Sequence, residues 1–386
     1  MLKIAHFGDS HILLAKRHQE YKEIFDKIFD ILRKEKPDII YHGGDILHNK
    51  TVLSPEAIQL TSYFFSNLAS IAPLYICAGN HDCSLTNKER LDSITPIVEA
   101  LKNDKIIYLK EPQEVEPKTG FIINSLSIFY EPNEWKKISD PNKVNIALYH
   151  GSVSGVETDS GYVLEHGDID FNELKDFDYG LFADIHKTNQ KLDKEGRFRY
   201  CGSTIQQNHS ETNDKGFLIW EIFDKQKYSV KHISIPNPSP FISVELKENG
   251  DIPDTLNIPD NAKVRLISNT HISPQSLKKS IDIVKKRFNT NSITIHNRPG
   301  KRISIDELEG TYEEDNLRDL MVQEKLIEEF LKGYKLERIV LNKVFELNKK
   351  YNILAEQTEE VARNVFWKFK RCEWNNTFNY RRKKLY

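Results

Sequence analysis

The sequence predicts an α/β fold built on a mainly parallel sheet. Short apolar runs alternate with amphipathic stretches over about the first 235 residues. The order at the front is strand, helix, strand, which calls for parallel pairing with right-handed crossovers. Five of the apolar runs stop at Asp, His or Asn, as strands do when their carboxyl ends carry chemistry. In chain order the candidate strands are Lys3–Gly8, Asp38–Gly43, Leu74–Ala78, Leu126–Tyr130, Val144–His150, Tyr179–Ala183, Arg197–Cys201, Gly216–Ile222 and Tyr228–Ile235. Candidate helices lie near His18–Lys36, Ser54–Ala69 and Ile94–Leu101. The later strands follow one another closely, so part of the pairing is expected to be antiparallel.

The proline-rich "IPNPSP" (Ile235–Pro240) marks a boundary. Beyond it "FISVELK", "KVRLIS", a helix near Ser273–Phe288 and "SITIH" make a compact β-β-α-β module, closed by "NRPGKR". From Glu313 the pattern turns helical, with Leu317, Leu320, Met321, Ile327, Phe330 and Leu331 on one face and Gly333 as a stop. A second stretch repeats the pattern through Ile339, Val340, Val344 and Phe345. The expected domains are therefore 1–236, 237–300 and 305–386.

Composition narrows the class. Hydrophobic residues make up 39% and charged residues 29%, as in a globular protein with a large solvated face. A net charge of −2 gives no global basic character, so any nucleic-acid contact must come from local patches. Cys77, Cys83, Cys201 and Cys372 form no CxxC pair, which argues against structural zinc and disulfides and fits a reducing, cytoplasmic compartment. The N-terminus is already strand-like and no long apolar run follows, so neither a signal peptide nor a membrane contact is expected.

The five run ends are Asp9-Ser-His11, "GGDILH" (Gly43–His48), "GNHD" (Gly79–Asp82), "LYHG" with His150, and "ADIH" with Asp184 and His186. Singly they say little. Asp-x-His arises by chance, "GGD" is often a turn, "GNHD" can cap a helix, and a lone His150 is an ordinary core residue. Together, each at a strand end, they should converge on one sheet edge. Oxygen and imidazole donors without thiolate suit Mn²⁺, Fe²⁺ or a similar cation. The donors are too many for one ion and suit two ions about 3.5–4 Å apart that share a carboxylate. Gly43, Gly44 and Gly79 permit tight turns and close backbone approach.

This order of motifs resembles the calcineurin-like metallophosphoesterases. His48, three residues after Asp45, is similar to the "GGDLFH" form of SbcD-type DNA double-strand-break repair nucleases. "YCGSTIQQNHSE" (Tyr200–Glu211) resembles their Y-x-G-S motif. The resemblance implies a four-layer α/β/β/α sandwich with a small β-β-α-β capping domain and a helical C-terminal tail. It also implies two divalent metal ions, Mn²⁺ first and Mg²⁺ second. Asp9, His11 and His186 would hold one ion, Asn80, His150 and Asp184 the other, and Asp45 would bridge. His81 would be the general acid, oriented by Asp82, and His48 would stabilise developing charge. The implied activity is hydrolysis of DNA phosphodiesters as exonuclease and endonuclease, in repair or recombination. The implied partners are DNA, an SbcC-type ATPase docked on the C-terminal helices, and a second copy of the chain. No DNA-binding residue is singled out. A phosphatase of the same superfamily, or an inactive scaffold that recruits the ATPase, are the competing readings.

The tail adds two features. From Val361 onward eight basic residues face one acid, Glu373, with Phe366, Trp367, Phe369, Trp374, Phe378 and Tyr380 interleaved, a pattern that suits phosphates and base stacking. "CEWNNTFNY" resembles the opening strand of SbcC-type ATPases, yet no G-x-x-x-x-G-K-[ST] occurs, so the tail either mimics that strand or begins a longer fusion.

The usual final family motif is G-H-x-H, and here it is Ala183-Asp184-Ile185-His186. A carboxylate in place of an imidazole favours harder cations such as Mn²⁺ or Mg²⁺ over zinc. Asp184→His is expected to keep activity and shift metal preference. Unchanged metal content and rate in Asp184→Ala would remove Asp184 from the ligand set.

Overall fold

The computed structural model describes residues 1–297, apart from 51, 86, 88, 89, 271, 289 and 291, together with residue 346. The front strands are β1 (Leu2–Phe7), β2 (Ile39–His42), β3 (Leu74–Ile76), β4 (Ile106–Tyr108), β5 (Gln113–Lys118) and β6 (Phe121–Leu126). There follow β7 (Val144–His150), the short pair β8 (Val156–Glu157) and β9 (Val163–Leu164), β10 (Tyr179–Ala183), β11 (Gln190–Lys191) and β12 (Phe198–Tyr200). The last are β13 (Gly216–Ile222), β14 (Tyr228–Ser234), β15 (Phe241–Glu245), β16 (Lys263–Ser268) and β17 (Ile293–Asn297). The helices are α1 (His18–Glu35), α2 (Pro55–Ile71), α3 (Thr95–Leu101) and α4 (Pro274–Phe288).

Two six-stranded sheets form the body, in the orders β14-β13-β1-β2-β3-β4 and β11-β12-β10-β7-β6-β5. The strands β1 to β4 are parallel, as are β6, β7, β10 and β12. Antiparallel strands stand at the margins: β13 and β14 in the first sheet, β5 and β11 in the second.

The burial pattern explains the stacking. β1 alternates Leu2 and Ile4, which face the second sheet, with Ala5 and Phe7, which face the helices. A strand buried on both faces reads as a continuous apolar run. On α1, Tyr21, Ile24, Phe25, Ile28, Phe29 and Leu32 recur at helical spacing and are all buried. Ser54 caps α2 by accepting the Ala57 N–H at 3.0 Å. The two helices meet where Phe25 stacks on Phe64 at 3.9 Å between ring centroids. Trp220, fully buried between the sheets, joins Ile39 and Tyr41 of one to Ile146 and Leu181 of the other.

The fourth layer, over Tyr149, Phe182, Phe198 and Tyr200, is thin. Loops and the 3-10 helices Pro132–Glu134 and Phe171–Leu174 cover it. The third sheet, β15-β16-β17, is wholly parallel and packs Val264 and Leu266 on Val284 and Phe288 of α4. Gln206 ties it to the body, donating to the Phe241 carbonyl at 3.0 Å and accepting its N–H at 2.8 Å. Lys263 pairs with Glu20 at 2.6 Å.

Two expectations change. The strand expected at Leu126–Tyr130 is Phe121–Leu126; the chain turns at Ser127, whose hydroxyl donates to the Lys110 carbonyl at 2.6 Å. The apolar residues of Phe121–Tyr130 hid this end, because Ile128 and Phe129 serve the packing of a loop. Strand β4 is apolar but only three residues long, and β5, "QEVEPK", is a half-exposed edge with little apolar signal. The expected helical tail at 305–386, with its basic-aromatic end and Cys372, lies outside the described residues. Among the described residues no helix is long and apolar enough to cross a membrane.

Candidate metal centre

All five predicted loops meet, though not along one sheet. Asp9 and His11 follow β1, Asp45 and His48 follow β2, and Asn80 and His81 follow β3, all in the first sheet. His150 ends β7, and Asp184 and His186 follow β10, in the second. The cluster therefore sits where the carboxyl ends of two facing parallel sets adjoin.

Backbone bonds lace the loops together. Asp9 N–H donates to the Gly44 carbonyl at 3.0 Å and His11 N–H to the Asp45 carbonyl at 2.9 Å. The Asp184 N–H lies 3.2 and 3.1 Å from the two Asp9 carboxylate oxygens, bridging the sheets. Asp9, His11, Asp45 and Asp184 all take positive φ, at 52°, 45°, 53° and 98°, which is rare for residues other than glycine. Such strain persists where the surroundings over-determine it. Gly79 shows how tight they are: a Cβ there would lie 2.1 Å from an Asp45 carboxylate oxygen.

The side chains converge on short distances. His150 Nε2 stands 3.4 Å from Asp45 and 3.6 Å from Asp184. His11 Nε2 is 3.5 Å from Asp45 and 3.1 Å from His186 Nε2, and His186 Nε2 is 3.9 Å from Asp9. Asn80 donates to Asp184 at 3.0 Å. Three triplets could each hold a cation, with their ligand atoms within 4.8 Å of one another: Asp9–His11–His186, Asp9–Asp45–His150 and His11–His48–His81.

Hydrogen bonds on the far ring nitrogens set the tautomers. His150 Nδ1 donates to the Gly43 carbonyl at 2.9 Å, and His186 Nδ1 to Glu211 at 2.8 Å. Each neutral ring then aims its Nε2 lone pair at carboxylate oxygens, and His150 Nε2, though buried, has no hydrogen-bond partner. Lone pairs facing anions repel unless a cation lies between them, so these residues fit divalent metal ions. Glu211 is held in turn by the Gln207 N–H at 2.9 Å and by Lys215, which is buried and also donates to the His186 carbonyl at 2.7 Å.

Asp82 departs from its expected part. Its carboxylate accepts the N–H groups of Ile46, Leu47 and Gly79 at 3.0, 3.1 and 3.0 Å, locking two loops together. The His81 ring is oriented instead by the His48 carbonyl, 2.8 Å from Nδ1, and stacks on the His48 ring. Glu211 and Lys215 were not foreseen. Glu211 closes the Tyr200–Glu211 segment and could have been found there; Lys215 gives no local signal of burial.

Without a cation, protons take its place. Burial opposes charging of His150, but Asp45, Asp184 and Asp9 outweigh it and push the imidazole up to about 9. His186 also rises to about 9, burial being outweighed by Glu211 and Asp9. Burial pushes the Asp9 carboxyl up to about 7. Each folded value exceeds the unfolded one, so the stability these groups lend is present at low pH and lost as pH rises through the folded value. In EDTA, Tm is therefore expected to fall as pH rises from about 7 to about 9, and saturating Mn²⁺ should abolish the fall. Glu211→Gln should weaken Mn²⁺ binding by about 10–100-fold in calorimetric titration, because the His186 tautomer is no longer enforced.

The comparisons with known proteins agree with this geometry. The chain is 31% identical to an uncharacterised protein of Acanthamoeba polyphaga mimivirus, over 98% of this chain and 29% of that protein, so it spans under a third of that relative's length. It is 29% identical to the SbcD component of the SbcCD nuclease of Staphylococcus saprophyticus, over 61% of this chain and 69% of that one. It is 24% identical to the DNA double-strand break repair protein Mre11 of Methanocaldococcus jannaschii, over 68% and 74%. The family model for calcineurin-like phosphoesterases matches residues 2–212, the stretch that supplies every loop of the cluster and the Glu211 behind it, and the chain belongs to that family.

Proposed function

We propose that the chain is a metal-dependent DNA nuclease that hydrolyses phosphodiester bonds and works with an SbcC-type ATPase in repair or recombination. The observation that carries the hydrolytic reading is the ring of buried lone pairs and carboxylates just described. The preference for DNA rests on similarity to the SbcD component of the SbcCD nuclease and to the Mre11 protein.

In this reading Asp9, His11 and His186 would hold one ion, Asn80, His150 and Asp184 would hold the second, and Asp45 would serve both. Mn²⁺ suits an all-oxygen-and-imidazole set carrying the extra carboxylate of Asp184. When bound, two such ions polarise the phosphodiester, make water acidic and offset charge as it builds. The remaining work falls to the histidines. The His48 carbonyl accepts the Nδ1–H of His81, and in the imidazolium form Nε2 carries the second proton, the one delivered to the leaving oxygen. The His48 ring, stacked at 5.4 Å, stands beside it to counter the growing negative charge. Asp82 keeps the Asp45 and Asn80 loops in register.

The test is Mn²⁺-dependent release of nucleotides from linear duplex DNA, run beside hydrolysis of a bis-aryl phosphate. His81→Asn should lower kcat on DNA by about 10²-fold or more while leaving Mn²⁺ content unchanged. Hydrolysis of the small ester alone would favour a phosphatase. Inactivity on both, with a purified ATPase partner present, would favour a scaffold.

A further inference from the structure

Beside Asn80 and His150 lies a cavity of about 240 Å³. Asn80 and His150 form its edge toward the metal-ligand cluster, and the rest of its wall carries no ligand of that cluster. Tyr130, Trp135 and Tyr149 line it, with Glu131 and Asp168 at the polar side. Among the described residues no lysine or arginine lines it.

The walls are built and fixed. Tyr149 is buried and meets Trp135 edge to face at 5.7 Å, and the Trp135 indole donates to the Ser127 carbonyl at 3.3 Å. The 3-10 helix Pro132–Glu134 presents Trp135 and is closed by Glu134, which accepts the Glu131 N–H at 2.9 Å. Gly151, at φ 149°, makes room for the tyrosine: a Cβ there would lie 2.5 Å from the Tyr149 hydroxyl. Asp168 is held by the Ser152 N–H and hydroxyl at 2.8 and 2.7 Å on one oxygen, which leaves the other free to accept.

Two carboxylates with no lysine or arginine beside them disfavour phosphate, so the wall away from Asn80 and His150 does not read the backbone. Aromatic walls favour a flat, uncharged ring, and the carboxylates favour one with N–H donors on its edge. We propose that this pocket takes the base of the nucleotide whose phosphate lies at the metal-ligand cluster; the proposal rests on the nuclease reading above. A base cannot enter while stacked and paired in a duplex. The cost of extruding it is least at a frayed, mismatched or single-stranded position. The pocket therefore selects unpaired nucleotides.

The test uses the full chain with Mn²⁺ and linear DNA ends carrying one unpaired terminal nucleotide, either intact or as its abasic analogue. Wild type is expected to favour the intact end in kcat/KM by about tenfold, the range of one base–aromatic stack. Trp135→Ala should bring that ratio to within about twofold of one, and Trp135→Phe should keep most of it. A merely structural role for Trp135 would lower both rates together and leave the ratio standing. A wild-type ratio near one, or an undiminished ratio in Trp135→Ala, overturns the proposal. Cleavage of neither DNA contradicts the nuclease reading instead. Tryptophan fluorescence titrated with dAMP and with deoxyribose 5-phosphate then decides the pocket. A response to dAMP alone that Trp135→Phe abolishes supports it, and equal responses to both ligands, or one unchanged in Trp135→Phe, overturn it.

Discussion

Buried carboxylates that face imidazole lone pairs are the constraint on which this structure depends. Asp9 and Asp45 are almost wholly shielded from water, and Asp184 stands beside them, yet their ion-pair partners are His11, His150 and His186 rather than any lysine or arginine among the described residues. Burying charge without compensation is expensive. The Gly43 carbonyl and Glu211 accept the far ring N–H groups, so in the neutral rings the near nitrogens offer electrons rather than hydrogen. A divalent cation satisfies both kinds of donor at once, and in its absence the site must hold protons.

The two-sheet architecture serves that requirement. A single parallel sheet would line its ligands along one edge, whereas two adjoining edges enclose a centre from opposite sides. The close approach is made by small residues: a Cβ on Gly8 or on Gly43 would meet the Ala183 Cβ at 2.7 or 2.5 Å. That contact brings β1 and β2 against β10, so Asp184 can reach back to Asp9. Positive φ at four of the cluster's residues is the local cost, and the cross-loop hydrogen bonds of Asp9, His11 and Asp82 offset it. Helices α1 and α2 back the first sheet with a phenylalanine-rich core and keep this arrangement rigid.

Much of the centre was legible because its residues are polar where the pattern calls for apolar, at the ends of buried runs. Asp9, Asp45, His150 and Asp184 each interrupt such a run, and the strand–helix order says that they meet. Even the departure at Asp184 could be read, and its carboxylate accepts from Asn80 at 3.0 Å. What could not be read depends on tertiary placement. Lys215 looks like any lysine before a strand. Asp82 looked like a partner for His81, and only the paths of the Asp45 and Gly79 loops turn it toward backbone N–H groups. Trp135 and Tyr149 stand fourteen residues apart in sequence, and aromatic residues at such positions are ordinarily core, so nothing local marked them as the walls of a pocket. The end of β6 was misplaced for a related reason, since Ile128 and Phe129 are as apolar as the strand before them.

In the proposed function two ions would share Asp45. The most direct measurement is an anomalous difference map from crystals grown with Mn²⁺. A two-ion centre predicts two peaks flanking Asp45 about 3.5–4 Å apart, one against Asp9, His11 and His186 and the other against Asn80, His150 and Asp184. A single peak, or peaks that leave Asp45 uncoordinated, would contradict it.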